Sequence, residues 1–223
     1  MRLACLSALV FGVLTSVLVA DALPKVLILA DGVHLGTARM AAGELKGRAT
    51  VTVPAEGTGN TGTALGLLDE VLGDTKWDLI HFNFGFADLR HLDPKTKSVR
   101  VMSRHTGGER VTGPKEYEAN LGQIVARLKA TKAKLIWAHS TPLVGTKYDH
   151  VYESGSEIGY NSIAARIMTE NGIAINDMHA WVLANVKKFS NPFSFRGIAI
   201  QQPVVESIEK ALGLPAKKVS EKK

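Results

Sequence analysis

With 223 residues, 45% of them hydrophobic and 22% charged, the chain is long enough to enclose one full core and too apolar to be intrinsically disordered. Its formal charge of +6 would suit an anionic partner, but Lys and Arg are scattered and gather only at Lys217, Lys218, Lys222 and Lys223, with no aromatic residues interleaved, so no nucleic-acid partner is expected. The single cysteine, Cys5, excludes a disulfide framework.

In chain order, residues 1–22 combine Arg2, an apolar stretch from Leu3 to Val19 and the small-residue triplet Ala20-Asp21-Ala22, which reads as a secretory signal peptide cleaved after Ala22. The run is short for a membrane span; an uncleaved anchor is the alternative. The expectation is a secreted or periplasmic protein with no stable membrane span after cleavage, a domain over residues 23–215 and a basic, disordered tail over 216–223. Apolar stretches of strand length then alternate with helical patterns. Strands are predicted at Lys25–Ala30, Ala49–Val53, Trp77–Phe84, Lys134–Ala138 and Ile173–Asn176. Helices are predicted at Val33–Leu45, Thr63–Leu72, Pro114–Thr131, Tyr160–Asn171 and Gln202–Leu212, with Asn171-Gly172 and Gly213 as stop signals. The polar interval Leu92–Gly113 reads as a long excursion, with room for a small hairpin. The alternation implies an α/β fold: a parallel sheet of about five strands with helices on both faces. Ligands of open α/β sheets sit beyond the carboxyl ends of the strands, which nominates residues 31–34, 56–61, 83–88, 139–142, 177–179 and 189–197.

The first strand empties into Asp31-Gly32-Val33-His34, a strand-to-helix turn of the kind where α/β hydrolytic folds carry a nucleophilic serine. Here the residue after Asp31 is Gly32, and no Ser or Cys occurs between Ser16 and Ser98, so no small shift of register restores one. Glycine also suits a turn that demands positive φ.

The segment from Trp77 to Arg90, WDLIHFNFGFADLR, resembles the third conserved block of the SGNH (GDSL) hydrolases, above all secreted bacterial members that read W-D-x-I-H-F-N-x-G-x-H-D-L. Lys25 to Gly36, KLIWAHSTP from Lys134 to Pro142, and YNSIAARIMTENGIAINDM from Tyr160 to Met178 resemble further blocks in the same order, so the likeness spans nearly the whole chain after residue 22. It implies the three-layer, flavodoxin-like fold of that family and an ancestry among ester hydrolases, including those that deacetylate polysaccharides. The family works with a serine nucleophile, a glycine and an asparagine in the oxyanion hole, and an Asp-x-x-His pair before the last helix. The resemblance puts Gly32 at the serine, Gly59 (or Thr58) at the glycine, and Gly85-Phe86-Ala87-Asp88 on the G-x-N-D pattern, so that Ala87 replaces the asparagine. Counting back from Gly197, the Asp-x-x-His positions fall on Phe189 and Pro192, and no Asp or His occurs anywhere from Asn185 to Lys223.

Serine ester hydrolysis needs a hydroxyl, a base beside it and donors for the oxyanion, acting as one unit. The former-site cleft is therefore expected to comprise Asp31, Gly32, Gly59, Asn83, Gly85 and Asp88 without a working triad. Asp31 is better placed to cap the following helix than to hold a ligand, and Asn83 and Asp88 to tie loops together. Possible substitutes for the lost base are His34, His139 and His179, with Asp31, Asp88 and Asp177 nearby, though they lack a recognised metal-ligand spacing. Thr37, the nearest hydroxyl after Gly32, is more than a helical turn away. Trp77, Trp137 and Trp181 belong with the core. No cofactor and no metal are expected. The first reading is a pseudoenzyme that binds an acylated glycan or a small ester ligand; the second is an active esterase or deacetylase using non-standard residues; the third is an assembly partner of an active paralogue.

Overall fold

The computed structural model describes residues 22–96, 100–145, 147–186, 193, 195 and 197–215; the expected signal peptide, the basic tail, Phe189 and Pro192 lie outside the described residues. Five strands, β1 (Lys25–Leu29), β2 (Thr50–Thr52), β3 (Leu79–Phe82), β6 (Lys134–Ala138) and β7 (Ala174–Asn176), form one parallel sheet in the order β2-β1-β3-β6-β7. Because side chains alternate along a strand, each buried strand serves two cores. Leu27, Leu29, Ile80, Phe82 and Trp137 face α2 (Thr61–Leu72), α4 (Pro114–Ala130) and α5 (Ser156–Glu170). Val26, Ile28, Leu79, Ile136 and Ala138 face α1 (Leu35–Glu44), α7 (Gln202–Leu212) and a helix α6 (Met178–Asn185). This is a three-layer α/β sandwich with a flavodoxin-like strand order.

The order reverses between β1 and β3, and that reversal opens a crevice beyond their carboxyl ends. The register Ile28↔His81↔Ile136 puts a histidine in the middle of the sheet, on the α1 and α7 face, buried beside apolar side chains and with its Nε2 3.4 Å from the Asn176 amide. Burial and the nearby His34 charge push the His81 imidazole down to about 3, so it is neutral in the folded protein.

Several predicted boundaries move. The strand predicted at Trp77–Phe84 is confined to Leu79–Phe82, because the Trp77 indole turns back to donate to the Leu72 carbonyl (3.1 Å) and the Asp78 carboxylate accepts from the Lys25 N–H (2.7 Å). The helix α5 begins at Ser156, four residues before the predicted Tyr160, because Gly155 at φ +77° turns the chain into it. Two helices were not predicted: the single turn α3 (Phe86–Leu89), and α6, which the Asp177 carboxylate caps by accepting from the Ala180 N–H (3.0 Å). In the excursion, β4 (His91–Leu92) and β5 (Glu109–Arg110) pair as a two-stranded antiparallel ribbon. The ribbon is pinned to the chain before α5 by His91 N–H on the Val151 carbonyl and by the Arg104–Asp149 ion pair (2.8 Å). Among the described residues no helix is long and apolar enough to cross a membrane.

Candidate functional site

The turn after β1 is organised by one carboxylate. Asp31 is fully buried, and its Oδ1 accepts from the N–H groups of Val33 (3.1 Å) and His34 (3.2 Å) and lies 3.1 Å from His34 Nδ1. Its Oδ2 accepts from the Phe86 N–H (3.0 Å), which fastens the exit of β1 to that of β3. Asp31 thus spends its acceptors on the scaffold. His34 lies with its Nε2 3.5 Å from the Thr141 hydroxyl and its ring stacked on Phe86 (centroids 5.1 Å apart). Asp31, His34 and Thr141 make a carboxylate–imidazole–hydroxyl row, but all three side chains are buried, so the hydroxyl has no path to a substrate.

Beside this turn lies an open cleft of about 290 Å³ lined by Gly32, Val33, Glu56, Gly59, Asn60, Thr63, Ala87, Arg90 and Tyr152. Its walls come from the chain after β1, β2 and β3, the strands around the order reversal, and from Tyr152 in the connection between β6 and α5. Gly32 is not in a positive-φ conformation, contrary to the turn geometry that glycine suggested, and a side chain there would meet nothing within 4 Å. Gly59 does need its freedom, at φ +66°. Thr58 turns away from the cleft, donating to the Ala30 carbonyl from both its N–H (3.0 Å) and its hydroxyl (3.1 Å). The floor is held by Asp88, whose Oδ1 accepts from the N–H (3.0 Å) and hydroxyl (2.6 Å) of Thr61. Burial pushes the Asp88 carboxyl up to about 6, against hydrogen bonds from Thr61 and Thr112 that favour its charged form. Burial likewise raises the Tyr152 phenol, opposed by the Arg90 charge.

The histidines proposed as substitutes lie elsewhere. His139, after β6, has Nδ1 3.1 Å from Asp177 Oδ1, and His179, on α6, has Nε2 3.2 Å from Oε1 of the buried Glu157. Both line a separate pocket of about 220 Å³ with Asp177, Ile158, Asn161, Ser162 and Ala165, near the β7 edge of the sheet. Burial alone would raise the Asp177 carboxyl, but the hydrogen bond from Ala180 N–H and the His139 contact outweigh it and hold the group below its ordinary value. Asn83 is not in the cleft: its amide donates to the Ala138 carbonyl (2.7 Å), and it lines a small internal cavity with His34, Thr37 and His81. Thr37 therefore points inward. Gly85 and Asp88 sit behind the cleft wall rather than on it, Gly85 packed so closely on Ser140 that a methyl group there would lie 2.4 Å from its hydroxyl oxygen. Among the described residues no group of three or more His, Cys, Asp or Glu side chains is placed to hold a metal ion.

Against solved structures the layout has many counterparts. A lipase/acylhydrolase from Enterococcus faecalis superposes with a TM-score of 0.64 at 12% identity, covering 88% of this chain and 100% of the other. A catalytic mutant of an acetylxylan esterase from Geobacillus stearothermophilus superposes with a TM-score of 0.61 at 15% identity, covering 86% and 95%. A GDSL-like lipase from Bacteroides thetaiotaomicron gives 0.60 at 16% identity, covering 84% and 88%. The fold is that of the SGNH (GDSL) hydrolases. No protein-family model and no curated protein sequence matches the chain.

On this SGNH fold, three positions that the sequence resemblance ties to catalysis, Gly32, Gly59 and Ala87, line one cleft. The two expected from the last motif, Phe189 and Pro192, lie outside the described residues. Sequence reasoning missed Arg90 and Tyr152. Arg90 ends the very segment that carried the resemblance, and its place directly after Asp88-Leu89 was the available signal. Tyr152 sits in a connection with no helical or strand period, and nothing in the sequence marks it.

Proposed function

We propose that this SGNH-fold chain is an exported pseudoenzyme that binds an acylated glycan or small acyl ester in the Gly32 cleft and does not cleave it. The observation that carries this reading is the lining of the cleft: among the described residues it contains no imidazole, no Ser or Cys, and only one carboxylate, the exposed Glu56. Its hydroxyls, on Thr63 and Tyr152, have no base beside them, and an unassisted hydroxyl is a poor nucleophile at neutral pH. The open space at Gly32 and the acetylxylan esterases among the structural neighbours support a ligand of that class. The apolar segment Leu3–Val19 and the triplet Ala20-Asp21-Ala22 support export.

The test is hydrolysis of p-nitrophenyl acetate and acetylated xylo-oligosaccharides by purified protein. We expect no turnover above the rate of heat-unfolded protein. A second reading, an esterase or deacetylase with non-standard residues, draws on the His139–Asp177 and His179–Glu157 pairs. Turnover that disappears on His139→Ala or His179→Ala would establish it and sink the first.

A further inference from the structure

Among the described residues, Arg90 is the one cation lining the Gly32 cleft, and its side chain has no partner there. Its guanidinium makes no hydrogen bond or ion pair among the described residues, and its Nε is buried without an acceptor. Most other arginines whose side chains contact a partner here are committed: Arg48 to Glu209, Arg104 to Asp149, Arg110 to Glu153, Arg127 to Asp69 and Arg166 to Glu118. A guanidinium that is partly desolvated and given no acceptor is costly to keep unless an acceptor arrives from outside. We propose that the cleft recognises a ligand carrying a single carboxylate, which Arg90 grips through its planar fork; the inference rests on the reading of this cleft as a binding site.

The rest of the lining narrows the chemistry. Glu56 stands in the same cleft, and the buried carboxylates of Asp31 and Asp88 lie close behind it, so a dianion such as a phosphate would meet one cation and several opposing charges. A monoanion with a bidentate face matches one guanidinium. Glu56, Asn60, Thr63 and Tyr152 offer hydroxyl, amide and carboxylate groups around it, suited to the hydroxyls of a sugar, while Val33 and Ala87 give a small apolar wall. At about 290 Å³ the cleft is at the lower end of small-molecule pockets, roughly 300–1,000 Å³, so it takes one sugar ring or a short acyl chain rather than a polymer interior. The carboxylate can come from a uronic acid residue of an acidic glycan or from a free short-chain acid.

Titration calorimetry with glucuronic acid, its methyl ester, glucose and acetate tests this on the full exported chain. We expect glucuronic acid to bind at least tenfold more tightly than its methyl ester or glucose. Arg90→Ala should weaken it tenfold or more and Arg90→Lys by less, both with a melting temperature close to wild type, since the guanidinium holds no other described side chain or carbonyl. Acetate binding as tightly as glucuronic acid would make the free acid the ligand, and weaker acetate binding the sugar acid; both support the proposal. Equal binding of acid and ester, unchanged binding in Arg90→Ala, or glucuronic acid binding that survives plugging the cleft with Ala87→Trp would each overturn it. Acetylated xylo-oligosaccharide bound more tightly than glucuronic acid, and equally by wild type and Arg90→Ala, would overturn the carboxylate preference and leave the binding reading intact. Ester turnover would overturn the binding-only reading and leave the carboxylate preference intact.

Discussion

Two buried titratable side chains give the protein opposing responses to pH. His81 is neutral in the fold, with its pKa pushed down to about 3, whereas in the unfolded chain it takes up a proton near 6.5. Between those values the unfolded state holds the extra proton, so stability falls as pH drops. Asp88 has the other sign: raised to about 6, it holds a proton in the fold that the unfolded chain has released, so its contribution is complete below about 3.8 and is lost as pH rises through 6. Replacing His81 with Gln should lower stability at pH 7 but remove about 2 kcal/mol of the loss between pH 7 and pH 5. Replacing Asp88 with Asn keeps an acceptor for Thr61 and should make the protein more stable at pH 7, relative to pH 4, by up to about 3 kcal/mol compared with wild type. Asp88→Ala removes the acceptor altogether and should cost about 1–3 kcal/mol at pH 4, a cost that shrinks toward pH 7 as the wild-type carboxyl loses its own contribution. Urea midpoints of the three variants across pH 4–7 check all of this, and a pH profile parallel to wild type in either neutral variant would refute the assignment.

At the scale of elements, the exits of the central strands are packed against each other more tightly than their loop character suggests. Gly85, at the start of α3, has φ +157° and leaves no room for a methyl group beside the fully buried Ser140 at the end of β6. Gly85→Ala should therefore destabilise by about 2–3 kcal/mol, through overpacking and backbone strain together. Ser140→Ala removes the colliding oxygen, which has no hydrogen-bond partner of its own, and should recover part of that loss in a double-mutant cycle. Full additivity of the two substitutions would mean that the steric contact does not matter. The residual cost, from φ, should remain.

For the molecule as a whole, Gly32→Ser alone should yield no p-nitrophenyl acetate turnover above wild type, because among its described lining residues the cleft has no imidazole and its one carboxylate, Glu56, is exposed to solvent. Robust turnover by that single variant would mean that a base reaches the cleft after all. Mass spectrometry of exported protein should find Leu23 at the N-terminus; a membrane-retained species with Met1 would reverse the proposed export. The five-stranded parallel sheet and its covering helices were legible because Val26–Leu29, Leu79–Phe82 and Ile136–Ala138 are, His81 apart, apolar on both faces, as a doubly covered sheet requires. The helix α6 was not legible: Met178-His-Ala-Trp-Val-Leu-Ala-Asn185 is apolar nearly all round, so it carries no period, and its start is signalled only by Asp177. The cleft was half legible. Gly32, Gly59 and Ala87 follow from the resemblance, but strand ends alone also nominate Asn83, His139 and His179, and the direction in which each side chain leaves its loop separates the cleft from the internal cavity and from the pocket at the β7 edge.

The open, ordinary backbone at Gly32 also makes the cleft a natural place for an optical reporter. The only cysteine in the sequence is Cys5, ahead of the expected cleavage point, so a Gly32→Cys variant would carry one thiol in the processed chain, available for attachment of a solvent-sensitive dye without competing sites. Its emission would report directly on what enters the space between β1 and β3, and a collection of sugars and organic acids could then be screened for occupants of that space.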